Sequence, residues 1–167
     1  AFPRVLKDKK HVLDIISTKP LFKPNDSKLP DNSVIWIGDN VVNFYNMPVD
    51  YYIEAIKRGV LEFYEKYEKG MLTSICVKFH GSEDEESKNR TKELFCSMGI
   101  TTKIIGNEHS VELMLLNSSN CVLLGLSSSL LWYASLIGHK SYSVSKHLPM
   151  HNHIPNDHVF WEKVNRL

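Results

Sequence analysis

Cys121-Val122-Leu123-Leu124-Gly125-Leu126-Ser127-Ser128-Ser129-Leu130-Leu131 runs from an unbroken apolar segment, through a glycine and three hydroxyls, into a second apolar segment. This is the pattern of a buried strand over Cys121 to Leu124, a tight turn, and a helix over Ser128 to Ile137 that Gly138 stops. Unpaired backbone N–H groups and the positive end of the helix dipole meet at such a turn. Gly125, Ser127, Ser128 and Ser129 are therefore placed to cradle a phosphate. Any one of the serines also reads as an N-cap, but a cap uses a single hydroxyl.

The same alternation extends in both directions. Ser33 to Ile37 is apolar without alternation after its first residue and ends at Gly38-Asp39-Asn40, as a strand buried on both faces does. From Val49 to Lys69, Ile53, Ile56, Val60, Phe63, Tyr64 and Tyr67 recur at helical spacing, with Pro48 near the start and Gly70 as a stop. Thr73 to Phe79 is a second strand that runs into His80-Gly81. Ser82 and Glu85 have capping-box spacing for a polar helix that ends at Met98-Gly99. Thr101 to Ile105, Ser110 to Leu116 and Lys140 to Val144 add a strand, a short helix and a last strand. Strands alternating with helices predict an α/β fold, a Rossmann-like parallel sheet with helices on both faces. Ligands of such sheets bind at the carboxyl ends of the strands, where the loops Gly38–Asn40, His80–Ser82, Gly106–Ser110 and Gly125–Ser129 collect. Trp132 and Tyr133 are assigned to the core.

A chain of 167 residues, 43% hydrophobic and 23% charged, is enough for one domain with a sizeable core. Residues 1–32, punctuated by Pro20, Pro24 and Pro30, read as a linker or lead-in, with a short helix over Lys10 to Ile16; 33–167 form the domain. The net charge of +1, with basic and acidic residues interleaved, excludes nucleic acid as the main partner. No apolar stretch is long enough to span a bilayer, which predicts a cytoplasmic protein with at most peripheral contact with the inner face of a membrane. Cys76, Cys96 and Cys121 are odd in number and predict free thiols rather than a disulfide framework. His147, His151, His153 and His158 read as a solvated loop, so no metal is expected. Asp157 to Leu167 reads as a helix with Val159, Phe160 and Val164 on one side. The opening at Ala1 fits a fragment or a processed piece.

Four features in order resemble a known family: Ile37-Gly38-Asp39-Asn40 after a strand, Lys78-Phe79-His80-Gly81, Ser110-Val111-Glu112-Leu113, and Gly125-Leu126-Ser127-Ser128-Ser129-Leu130. Together they look like the C-terminal, nucleotide-binding half of a bacterial GT-B sialyltransferase, of the lipooligosaccharide sialyltransferase and polysialyltransferase kind. The resemblance covers about Ser33 to Val144. It implies a CMP-sialic acid donor, a glycan acceptor, inversion without a metal or other cofactor, and a catalytic base in an N-terminal GT-B domain or partner chain.

By the same resemblance His80 is the catalytic histidine that contacts the departing phosphate, although Gly81 stands where the family has proline. Lys78 lies near the nucleotide, and Glu112, beside Ser110, accepts the ribose hydroxyls. Ser128 and Ser129 hold the phosphate, with Ser127 in a less fixed place, and Gly38 and Asn40 line the cleft. Three of these residues also have plainer readings. His80 is a loop histidine bonded to backbone, Lys78 a strand-end lysine, and Glu112 a carboxylate favoured by a helix dipole. Two alternatives remain beside the sialyltransferase: a cytidine-nucleotide-dependent Kdo or glycerol-phosphate transferase domain, and a non-catalytic Rossmann-like binding module.

Overall fold

The computed structural model describes residues 28–67, 72–149 and 164–167. The elements run β1 (Val34–Ile37), α1 (Val41–Phe44), α2 (Val49–Tyr67), β2 (Ser74–Lys78), α3 (Glu85–Ser97), β3 (Thr101–Ile104), α4 (Val111–Leu116), β4 (Val122–Gly125), α5 (Ser129–Leu136) and β5 (Lys140–Ser143). A 3-10 turn (Ser145–His147) and β6 (Asn165–Arg166) follow. All six strands are parallel, in the order β3-β2-β1-β4-β5-β6. This is the doubly wound Rossmann-like order, and it reverses direction between β1 and β4.

Alternation along each strand divides the core in two. Val34, Trp36, Ile75, Val77, Leu124 and Tyr142 face the side covered by α2 and α3, through Tyr52, Ile56, Val60, Phe63 and Phe95. Ile35, Ile37, Cys76 and Leu123 face the side covered by α4 and α5, through Val111, Met114, Leu115, Leu131 and Trp132. Trp132 is thus a core residue, as expected, and Tyr133 packs partly buried beside it. Removing side chains of this size from water contributes about 1.5–3 kcal/mol each. At mid-helix, Gly59 lets α2 come so close to the sheet that a Cβ there would collide with Val144.

Several boundaries differ from the sequence expectations for local reasons. The cap of α3 is Asp84, whose carboxylate accepts the Ser87 N–H at 2.8 Å, and not Ser82, which bonds to His80. The carboxylate is the stronger acceptor, and it sits two residues closer to the helix. Gly99 closes α3 at φ 73°, the left-handed stop its position suggests. Of the expected Asp157–Leu167 helix, residues 157–163 lie outside the described residues, and 164–167 are not helical: Val164 and Leu167 are buried on opposite faces, and Asn165–Arg166 pair with Tyr142 and Ser143 as an edge strand.

The lead-in is anchored from Lys28 onward. Leu29 is buried, its N–H donates to Ser118 Oγ at 3.1 Å, and Asp31 accepts the Ser119 N–H at 2.8 Å. The expected Lys10–Ile16 helix, the Gly70 stop, and His151, His153 and His158 lie outside the described residues. Cys76, Cys96 and Cys121 are free thiols. No helix among the described residues is long and apolar enough to cross a membrane.

Candidate functional site

The register brings the ends of the three middle strands level, with Ile37 paired to Lys78 on one side and to Gly125 on the other. Their loops therefore leave the sheet together at the switch point between β1 and β4, the usual place for a ligand in this sheet type. Gly125 permits the close approach of β4 to β1, because its Cβ would lie 2.9 Å from the Ile37 carbonyl oxygen.

The β1 and β4 loops are joined directly. Asp39 Oδ2 accepts the Ser127 N–H at 3.3 Å and the Ser127 hydroxyl at 3.1 Å. Ser128 caps α5, with Oγ accepting the Leu130 N–H at 3.3 Å. Ser129 occupies the first position of the helix, is exposed, and takes part in neither arrangement. The three serines thus divide: one is tied to Asp39, one is a cap, and one faces outward at the positive end of a helix dipole.

The β1 and β2 loops are also joined. Asn43 Nδ2, in α1, donates to Asn40 Oδ1 at 2.9 Å and to the Ser82 carbonyl at 3.4 Å. His80 Nδ1 accepts the Ser82 N–H at 3.2 Å, with the Ser82 hydroxyl 2.9 Å away. An acceptor at Nδ1 assigns the proton of the neutral ring to Nε2, on a side chain that is exposed. His139 has the same tautomer in a structural setting. Its Nδ1 accepts the Cys121 N–H and its Nε2 donates to the Leu115 carbonyl, both in the core. At Gly81 a Cβ would meet nothing within 4 Å, so packing does not require glycine there.

Beneath this turn lies a residue the sequence reading passed over. Glu83 is 4% exposed, with Oε1 accepting the Tyr52 hydroxyl at 3.0 Å and Oε2 the His80 N–H at 3.2 Å. Gly38 makes room for it, since a Cβ at that position would collide with the carboxylate. Burial pushes the Glu83 carboxyl up to about 7; the two hydrogen bonds oppose that shift, and the charges of Asp39 and Asp84 reinforce it. The Tyr52 phenol is raised by its own burial and by Glu83. Asp39 was also passed over as a site residue, although it stands between Gly38 and Asn40. In sequence, Glu83 is hidden in the acidic run Glu83-Asp84-Glu85-Glu86, which reads as a solvated helix start. Its neighbour Gly38 was the available signal, as a position where something approaches the backbone closely.

The β3–α4 loop stands apart from these. Lys78 Nζ donates to the Gly106 carbonyl at 2.7 Å and to the His109 carbonyl at 3.3 Å, which ties β2 to that loop. Ser110 caps α4, and its hydroxyl donates to Glu112 Oε2 at 2.8 Å, with both side chains exposed. Among the described residues no hydrogen bond links Ser110 or Glu112 to Ser127, Ser128 or Ser129. Hydrogen bonds therefore join the Gly38–Asn40 loop to Ser127 and to the His80 turn, with Gly125, Ser128 and Ser129 at the adjoining strand end, and set Lys78, Ser110 and Glu112 in a neighbouring group. No group of three or more metal-ligating side chains occurs among the described residues. The exposed donors at these strand ends are the His80 Nε2–H and the Ser129 hydroxyl at a helix start, with the Asp39 and Glu83 carboxylates on the same loops as Gly38 and His80. The chain matches no known protein-family model, and no curated protein matches it significantly.

Proposed function

We propose that this domain is the donor-binding half of an inverting, metal-independent glycosyltransferase of the GT-B sialyltransferase kind. It binds the cytidine monophosphate part of CMP-sialic acid, and the glycan acceptor and the catalytic base come from an N-terminal GT-B domain or partner chain. The observation that carries this reading is the convergence at the sheet's switch point. The serine turn at the start of α5, the His80 turn and the Gly38–Asn40 loop leave three adjacent strands at the same level. A helix start with exposed Ser129 suits a phosphate. A histidine whose Nε2 carries the proton suits a departing phosphate oxygen, because it stabilises negative charge as it develops. In this reading Ser110 and Glu112, from the neighbouring cluster, reach the ribose, and Lys78 holds their loop through the Gly106 and His109 carbonyls.

Calorimetric titration with cytidine, uridine and guanosine monophosphates tests the proposal, and selective binding of the cytidine nucleotide is expected. Ser129→Ala should weaken that binding by about 1.5–3 kcal/mol at most, the range for one charge-assisted hydrogen bond, with the fold intact. Preference for a cytidine diphosphate ligand would move the assignment to a glycerol-phosphate transferase. Indifference to all cytidine nucleotides would leave a non-catalytic binding module.

A further inference from the structure

Glu83 has no task in the reading above, yet it is the most enclosed carboxyl at the switch point. Both of its hydrogen-bond partners, the Tyr52 hydroxyl and the His80 N–H, are neutral donors, and among the described residues no lysine or arginine pairs with it. The groups that face it are Tyr52 from α2, Asp39 from the β1 loop, His80 from the β2 loop and its chain neighbour Asp84. Apart from His80 and the phenol, these are further carboxylates. A phosphate arriving at the His80 turn therefore meets negative charge already in place.

We propose that Glu83 makes this site proton-linked: an anion that docks against the His80 turn is accompanied by uptake of a proton on the Glu83 carboxyl. This rests on reading the site as one that holds a phosphate. Of the two carboxylates flanking Gly38, Asp39 is partly exposed and committed to Ser127, whereas Glu83 is enclosed and held by neutral groups. A buried charge with no opposite charge beside it is the one most readily neutralised. The neutral acid keeps its hydrogen bonds: the unprotonated oxygen still accepts the Tyr52 O–H, and the protonated oxygen retains a lone pair for the His80 N–H. The position of the free carboxyl, raised by burial to about 7, puts the exchange near neutral pH.

Linkage is reciprocal, so the factor by which the anion tightens proton binding is also the factor by which the proton tightens anion binding. Affinity should therefore rise as pH falls toward and through 7, the proton coming from the buffer. His80 is another titratable group at this turn, and the phosphate ligand has a second ionisation of its own at about 6, so only a variant isolates the Glu83 contribution.

Calorimetry of the full chain with cytidine monophosphate and with inorganic phosphate, in buffers of different ionisation enthalpy, measures the proton taken up. Wild type is expected to take up a measurable fraction of a proton, and Glu83→Gln a smaller one. Near pH 8, Glu83→Gln is expected to bind roughly tenfold tighter than wild type, the size of one like-charge interaction across a partly screened site. That gain is the opposite of what loss of a merely structural residue gives. Tyr52→Phe should move the dependence to higher pH, because the Tyr52 hydroxyl favours the ionised carboxylate.

The Glu83 side-chain carbonyl carbon, followed by NMR, should titrate near neutrality and shift to higher pH when ligand saturates the site. Titration in the ordinary carboxylate range, or equal proton uptake in wild type and Glu83→Gln, overturns the linkage. Cytidine monophosphate binding without Glu83-dependent uptake sinks the linkage and keeps the nucleotide reading. Inorganic phosphate binding with that uptake, and no tighter binding of cytidine monophosphate, does the reverse. Absence of binding by either ligand overturns both.

Discussion

Each end of α2 is engaged with a glutamate, and the two glutamates are pushed in opposite directions. Near its N-terminus Tyr52 holds Glu83, 4% exposed and raised to about 7. Near its C-terminus Glu62 accepts from Lys66 and, out of the 3-10 turn after β5, from Lys146 at 2.8 Å and His147 at 2.8 Å. Those bonds, Lys146 first, hold its carboxyl down at about 2, although only 18% of the side chain is exposed. Glu83 is the more deeply buried of the two, and the partners differ as well: cations on Glu62, neutral donors and other carboxylates around Glu83. One end of the helix is fastened by charge, and the other encloses a charge that the fold disfavours.

Three substitutions would break or sharpen this contrast. The largest effect belongs to Glu83. Its folded value of about 7 lies above the ordinary 4.5, so its stabilising contribution is complete below pH 4.5 and is lost as pH rises through 7. From this group alone, stability should fall by up to about 3 kcal/mol between pH 4.5 and about pH 8, and Glu83→Gln should remove that slope in urea titrations. Next is Gly38→Ala, which forces a Cβ against the same carboxylate and lies 3.1 Å from the His80 nitrogen. A loss of about 1–3 kcal/mol is expected, with part recovered when Glu83→Ala is added, and a double-mutant cycle reads the coupling. The smallest is Glu62→Gln, where the sign reverses. A carboxyl lowered to about 2 stabilises above pH 4.5 and loses that contribution as pH falls through 2. Thermal melts should show a loss of about 1–2 kcal/mol at neutral pH, reduced by high salt, and a vanishing difference in strong acid.

The layering was legible in sequence because strands buried on both faces must be apolar at every position, as Val34–Ile37 and Val122–Gly125 are. α2 was legible because its helical period survives over nineteen residues. β6 was not. Two polar residues carry no period, and Asn165–Arg166 become a strand only by pairing with β5. At the site, the glycines and serines were visible as turn chemistry, but their partners were not. Asp39 bonds Ser127 across 88 positions of chain, and Tyr52 bonds Glu83 across 31. Local spacing cannot show which acid in a run of acids turns inward; that choice is made by the space left at Gly38.

The pairing of β1 with β4 divides the sheet into two leaves of three strands, joined along one spine. That spine is fastened below the ladder by the Asn32 N–H on the Ser119 carbonyl at 2.9 Å and by Asp31 on the Ser119 N–H at 2.8 Å. Above the ladder it is fastened by a single Asp39 carboxylate oxygen, which accepts both the Ser127 N–H and the Ser127 hydroxyl. Loaded in shear along the strands, the spine must give up its whole ladder and both fastenings together. Loaded by prising, it parts first at the side-chain clasp and pivots about the lower one, so the mouth between the leaves is the mechanically compliant end of the molecule.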